Sequence, residues 1–172
     1  MSAAIARPRT AAGVRLLVLD VDGVLTDGRL YYGTRGETLK VFHVRDGLGM
    51  KLLTAAGIAV AVISGRRSGM TVRRCRELGI RYVFQGVEDK LATFHRLRER
   101  LELASRVCAC VGDDVPDVPL MREVGLAFAV ADAHPEARSA AHVVTRLPGG
   151  KGAVREVCDY LLTARQRAAA SK

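Results

Sequence analysis

Short, wholly apolar runs alternate along this chain with stretches of helical periodicity. The first run, at 16–19, is Leu-Leu-Val-Leu, apolar at every position, as expected of a strand buried on both faces of a parallel sheet. Similar runs at 58–63, 82–84, 107–111, 126–130 and 142–144 predict further strands. The intervening patterns predict helices over 45–56, 70–78, 90–103, 116–124, 135–140 and 153–162, three of them closed by Gly57, Gly79 and Gly125. Such alternation predicts an α/β fold: a doubly wound, Rossmann-like parallel sheet with helices on both faces. Residues 29–43 break the rhythm. Two short strands, 30–32 and 38–42, flank Gly33-Thr34-Arg35-Gly36 and predict a β-hairpin inserted after the first strand. A lone hairpin is marginal in water, and this one carries many apolar and aromatic side chains, so it is expected to pack against copies of itself in a homo-oligomer. Residues 1–13 read as a flexible arm, 14–163 as one domain, and 164–172 as a frayed tail.

Composition narrows the class. At 172 residues and 49% hydrophobic, the chain can bury a sizeable core. No apolar run is long enough to span a bilayer and no signal-peptide pattern opens the sequence, so a cytoplasmic protein with no membrane partner is expected. The four cysteines follow neither a disulfide nor a metal pattern; Cys108 and Cys110 fall on one face of a strand as small buried hydrophobes, while Cys75 and Cys158 stand alone on helices. The net charge of +9 invites a nucleic-acid partner. The basic residues are spread along the chain, however, with few aromatics interleaved for base stacking, and a surface that attracts small phosphorylated anions accounts for the charge equally well. No nucleic-acid partner is expected.

Candidate chemistry gathers at strand ends. The first strand runs into Asp20-Val21-Asp22-Gly23, and in open α/β sheets ligands bind at the carboxyl ends of strands. Two like charges this close repel unless a cation neutralises them, which suggests Mg²⁺ with its preference for hard oxygen ligands. Taken alone, the motif fits an Asx-capped turn equally well. Further strands deliver Ser64, Lys90, and the group Asp113, Asp114 and Asp117. Each has a plain alternative as a helix cap, a solvated lysine or a capped turn. If the strands are parallel, all of them converge on one edge. Together they suit phosphoryl transfer to a carboxylate: a nucleophile, a second acid for the departing alkoxide, and a metal, lysine and hydroxyl for the equatorial oxygens.

Through these residues the chain resembles the haloacid dehalogenase superfamily of phosphatases. DVDGVLTDG matches the first motif, Ser64 the second, Lys90 the third and GDDVPD the fourth. The resemblance implies that Asp20 is the nucleophile and Asp22 the general acid/base. It places Mg²⁺ on Asp20, the backbone carbonyl of Asp22, and Asp113, with Asp114 and Asp117 in support, and it gives Ser64 and Lys90 the phosphoryl group. No segment is long enough for a cap domain. Within the capless subgroup, DGRLYY, FHVRDGLGMKLL, VISGRRS and GGKGAVREVCDYLL are similar to the 3-deoxy-D-manno-octulosonate 8-phosphate (KDO 8-phosphate) phosphatase family. That family's activity is Mg²⁺-dependent hydrolysis to KDO and phosphate through an aspartyl-phosphate, in lipopolysaccharide precursor synthesis. Its members are homotetramers joined by hairpins, with a neighbour's C-terminal tail helping to close the site.

A substrate with a phosphate at one end and a carboxylate at the other needs further cationic donors. Arg66 and Arg74 are candidates for the carboxylate, whose geometry suits an arginine fork, and His43, Arg45 and Asp46 for sugar hydroxyls, beside Asp22 and Lys90. Nonulosonate 9-phosphatases typically carry glutamate where this chain has Arg66, which favours the octulosonate. Lys151 stands where relatives commonly have arginine, so it keeps the charge but loses the fork. A nonulosonate 9-phosphate phosphatase is the alternative enzyme. A receiver-like phospho-acceptor domain is the non-enzymatic alternative.

Overall fold

The computed structural model describes residues 11–171. Strand β1 (Leu16–Leu19) is fully buried, and its register explains why. Leu19 lies between Val62 of β4 (Ala59–Ser64) and Val111 of β6 (Cys108–Gly112), both parallel to it. With β5 (Tyr82–Gln85), β7 (Leu126–Ala129) and β8 (Val143–Val144), these make a six-stranded parallel sheet in the order β5-β4-β1-β6-β7-β8. From β1 the chain winds outward through β4 to β5, then returns past β1 to β6 and winds the other way. The reversal falls between β1 and β6, and a crevice at such a switch point is where open α/β sheets hold ligands.

Six helices that lie wholly within the described residues cover the sheet: α1 (Val44–Ala55), α2 (Gly69–Glu77), α3 (Lys90–Arg100), α4 (Val118–Glu123), α5 (Pro135–Ala140) and α6 (Ala153–Ala170). Helix α1 packs against α6, while α4 packs between α3 and α5. Right-handed crossovers put those two groups on opposite faces. The core is aliphatic, built from the central strands together with Phe94 of α3, Met121 of α4 and Leu161 of α6. Among the described residues no helix is long and apolar enough to cross a membrane, and all four cysteines are buried and free.

Several boundaries differ from the sequence reading. Strand β4 includes Ser64, so that hydroxyl belongs to the strand's last residue. The helix expected over 116–124 begins as a 3₁₀ turn, Val115–Asp117, in which Asp114 and Asp117 cap each other's backbone before α4 starts. Most of the 1–13 arm lies outside the described residues, but Ala11 is buried, so the packed core reaches at least that far toward the N-terminus. The tail expected to fray over 164–172 instead continues α6 to Ala170. Ala164, Ala168, Ala169 and Ala170 are strong helix formers, and nothing after Leu162 breaks the helix.

The hairpin is a separate two-stranded sheet, β2 (Tyr31–Gly33) against β3 (Gly36–Leu39). Its polarity is inverted relative to an ordinary surface hairpin. Tyr32 is 63% exposed and Leu39 49%, whereas the side chain of Lys40, just past β3, is only 3% exposed.

Asp46, in the first turn of α1, is buried, and its Oδ1 accepts the backbone N–H of Arg155 at 2.8 Å. It thereby satisfies an orphan donor at the start of α6 and ties two helix N-termini together. Burial raises its pKa, a cost that the N–H donors at the start of α6 partly offset. Asp46→Ala should lower unfolding free energy by about 1–2 kcal/mol, the usual cost of losing such a cap. Urea denaturation measures it, and an unchanged midpoint would contradict the assignment.

Candidate active site

Asp20 follows β1 directly, and its backbone N–H donates to Val111 O of β6 at 3.2 Å, which seats it at the switch point. Its carboxylate is almost wholly buried and pairs with Lys90 Nζ at 2.8 Å. The same ammonium donates to Asp117 Oδ1 at 2.7 Å. Lys90 starts α3 just after its N-cap Asp89, whose Oδ1 accepts Ala92 N–H at 2.9 Å, so a capped helix end aims the lysine at the crevice. Asp117 Oδ2 accepts the N–H groups of Asp113 at 3.0 Å and Asp114 at 3.3 Å. Both Asp117 oxygens are therefore in use, one on the lysine and one bracing the loop that carries Asp113.

Asp20, Asp113 and Asp117 offer carboxylate oxygens that all lie within 4.8 Å of one another. Burial, then the negative charge of Asp20 and Asp117, pushes Asp113 up to about 8. Burial and Asp117 raise Asp20 to about 6, against the opposing pull of Lys90. Burial disfavours the charged form of Lys90, but Asp20 and Asp117 outweigh it and the net shift is upward. Three carboxylates around one ammonium leave an excess of negative charge in a desolvated crevice. That donor set, all hard oxygens, fits a small divalent cation.

Two glycines make the crevice narrow enough. Gly23 has φ +92°, and a Cβ there would lie 2.0 Å from Asp113 Oδ2. Gly149 sits against the same loop, where a Cβ would approach Gly23 O to 1.7 Å, and the next N–H, of Gly150, donates to Val24 O at 2.9 Å. The Gly-Gly-Lys-Gly stretch is thus a backing for the Asp20–Gly28 loop of its own chain. Ser64 is buried at the end of β4, and its Oγ accepts Arg66 N–H at 3.3 Å.

The other sequence candidates divide. Asp22 does not join the carboxylate group: its Oδ1 is ion-paired with Lys40, and Arg66 Nε stands 3.7 Å from its Oδ2. Any metal contact from Asp22 is therefore left to its backbone. Asp114 caps the 3₁₀ turn, accepting Val115 N–H at 2.7 Å, and is a structural residue. Asp46 Oδ1 is used by the start of α6, as described above. Arg74 pairs with Glu77 at 3.5 Å and lies over Gly47 of α1, so packing between α1 and α2 claims it. His43 is the N-cap of α1, with Nδ1 accepting Arg45 N–H at 3.3 Å. Arg45 lines an open cavity of about 990 Å³ between α1 and α6, together with Lys151 and Arg155; none of Asp20, Asp22, Ser64 or Lys90 borders it. Of the expected substrate arginines, only Arg66 reaches the site.

Sequence reasoning missed Lys40, Glu37 and Tyr32. Lys40 Nζ is 3.3 Å from Glu37 Oε1, and Arg66 Nη2 meets Tyr32 Oη at 3.3 Å and Glu37 Oε2 at 3.9 Å. The available signal was a charged pair, Glu37 and Lys40, spaced i,i+3 along the second arm of the hairpin.

Comparison with known proteins agrees with this geometry. Residues 79–155 match the family described as haloacid dehalogenase-like hydrolase. The chain is 52% identical over 154 residues to the 3-deoxy-D-manno-octulosonate 8-phosphate phosphatase KdsC of Escherichia coli K12, covering 90% of this chain and 82% of that protein. It superposes on the Yersinia pestis 3-deoxy-D-manno-octulosonate 8-phosphate phosphatase with a TM-score of 0.90 at 49% identity, over 93% of this chain and 86% of the other. The Moraxella catarrhalis phosphatase of the same name, solved with a magnesium ion, a phosphate ion and KDO, gives a TM-score of 0.90 at 40% identity, over 95% and 94% of the two chains. With that identity sustained along nearly its whole length, the chain belongs to the haloacid dehalogenase superfamily, in the family of the 3-deoxy-D-manno-octulosonate 8-phosphate phosphatases.

Proposed function

We propose that this protein is a Mg²⁺-dependent phosphatase that hydrolyses 3-deoxy-D-manno-octulosonate 8-phosphate to KDO and inorganic phosphate, a step in lipopolysaccharide precursor synthesis. The observation that carries the reading is Asp20 at the end of the central strand, paired with Lys90 at 2.8 Å and grouped with Asp113 and Asp117.

Asp20 supplies the nucleophilic oxygen. Lys90 holds that carboxylate in place and adds positive charge for the transferring phosphoryl group, with the Ser64 hydroxyl at the neighbouring strand end. Asp113 and Asp20 would hold Mg²⁺, with Asp117 bracing them; bound there, the ion neutralises the carboxylates and the developing phosphoryl charge. Attack by Asp20 forms an aspartyl-phosphate while Asp22 gives a proton to the departing sugar oxygen. Asp22 then takes a proton from the water that cleaves the intermediate. Arg66, beside Asp22 and half-exposed, is the cation for the sugar acid's carboxylate.

The hairpin supports a homo-oligomer, with a tetramer as its form. Leu30, Tyr32, Leu39 and Val41 face outward while the charged Lys40 and Glu37 face inward, the polarity expected of a strand pair that meets another copy. Buried, unpaired thiols suit a reducing cytoplasm.

Three measurements test this. With Mg²⁺, the protein should release phosphate from octulosonate 8-phosphate, and at higher kcat/KM than from a nonulosonate 9-phosphate or a hexose phosphate; Asp20→Asn should reduce that activity by at least about 10³-fold while the protein remains folded. Stable phosphorylation without turnover would point to a receiver instead. Mg²⁺ should raise the thermal midpoint of the protein, and Asp113→Asn should remove most of that rise. Light scattering at micromolar concentration should give an oligomer, and a monomer would refute the role of the hairpin.

A further inference from the structure

The acid/base role of Asp22 demands a carboxylate that points one oxygen at the departing group. A carboxylate on a short side chain does not do this unaided, because its terminal torsion is broad. In this structure the two Asp22 oxygens are unequal. Oδ1 is ion-paired with Lys40, whereas Oδ2 is shielded from solvent and has no hydrogen-bond partner. Arg66 Nε, 3.7 Å from Oδ2, is likewise shielded and without a hydrogen bond.

Lys40 is itself restrained. Its side chain is 3% exposed, and Glu37 Oε1 lies 3.3 Å from its Nζ. Glu37 Oε2 in turn faces Arg66 Nη2 at 3.9 Å, and that guanidinium donates to Tyr32 Oη at 3.3 Å. All three hairpin residues thus converge on Asp22 and Arg66 from one side.

We propose that Lys40 is a positioning residue of the phosphatase reaction: fixed by Glu37, it immobilises Asp22 Oδ1 so that Oδ2 is presented to the departing oxygen. The inference rests on the phosphatase reading above. Without the Lys40 ammonium, Asp22 is free to turn onto Arg66, which would tie up the oxygen that has to exchange a proton and draw the arginine away from a substrate carboxylate. Lys40 contacts Asp22 and Glu37, whereas the nucleophile Asp20 is held by Lys90.

The leaving group provides a readout that a merely structural role would not move. A sugar alkoxide needs a proton as it departs, whereas a p-nitrophenolate does not. Lys40→Ala should lower kcat/KM for octulosonate 8-phosphate by about 10- to 100-fold, mainly through kcat, the scale expected of a misplaced catalytic group. For p-nitrophenyl phosphate, kcat/KM reports phosphorylation of Asp20 alone and should fall less than about threefold, because general-acid help is not needed there. By contrast kcat, which includes hydrolysis of the intermediate, falls on both substrates. Lys40→Arg should recover most of the sugar-phosphate activity, and Glu37→Gln should show the same selective loss in weaker form. Equal losses of kcat/KM on both substrates, or a loss on the sugar phosphate carried by KM alone, would overturn the proposal. If Lys40→Ala does not fold, Glu37→Gln carries the same comparison, since it leaves the lysine in the hairpin. A wild-type protein inactive on both substrates would instead refute the phosphatase reading itself.

Discussion

One buried ammonium holds the active-site edge of this molecule together. Lys90 Nζ lies 2.8 Å from Asp20 and 2.7 Å from Asp117, in a crevice from which water is largely excluded. Removing charges from water is costly, and the cost is tolerable only where each has partners. Here the lysine serves two strand ends at once, after β1 and after β6, while Asp117 passes the restraint on to the loop of Asp113 through two backbone N–H groups. The negative charge that remains gives the site its appetite for a divalent cation.

The sheet makes this arrangement possible. Because β1 is central and buried on both faces, its end is a fixed point, and the reversal of winding leaves the space between β1 and β6 open above it. The loop leaving β1 is then supported from beneath by Gly149 and Gly150, which approach closer than any side chain would allow. A rigid platform of this kind suits a reaction whose catalysis is mostly positioning and electrostatics.

Around the platform lies a second, looser layer of charge. Lys40 from the hairpin and Arg66 from the turn after β4 meet Asp22, and Glu37 faces both of those cations. The hairpin therefore has two unlike faces: Lys40 and Glu37 are turned inward toward Asp22 and Arg66, while Leu30, Tyr32, Leu39 and Val41 are exposed.

Asp20, Ser64, Lys90 and Asp113 were legible in the sequence because each directly follows or closes an apolar run, or opens the helix after one, and a parallel sheet carries all such positions to one edge. The alternation of runs and periodic stretches likewise determined the fold class. The sequence was silent about which charge meets which. Asp46 was as plausible a sugar ligand as Asp22, yet it caps a helix that starts 107 residues later, and its partner Arg155 is 109 positions away. Arg74 and Arg66 looked equivalent, but Arg74 is spent on Glu77 and the α1 surface, while Lys40, 18 residues from Asp22, became its ion-pair partner. Hydrophobic pattern is local and periodic, so it can be read along a chain; the pairing of polar groups depends on distances that exist only after the core has closed, so it was decided by the tertiary structure alone.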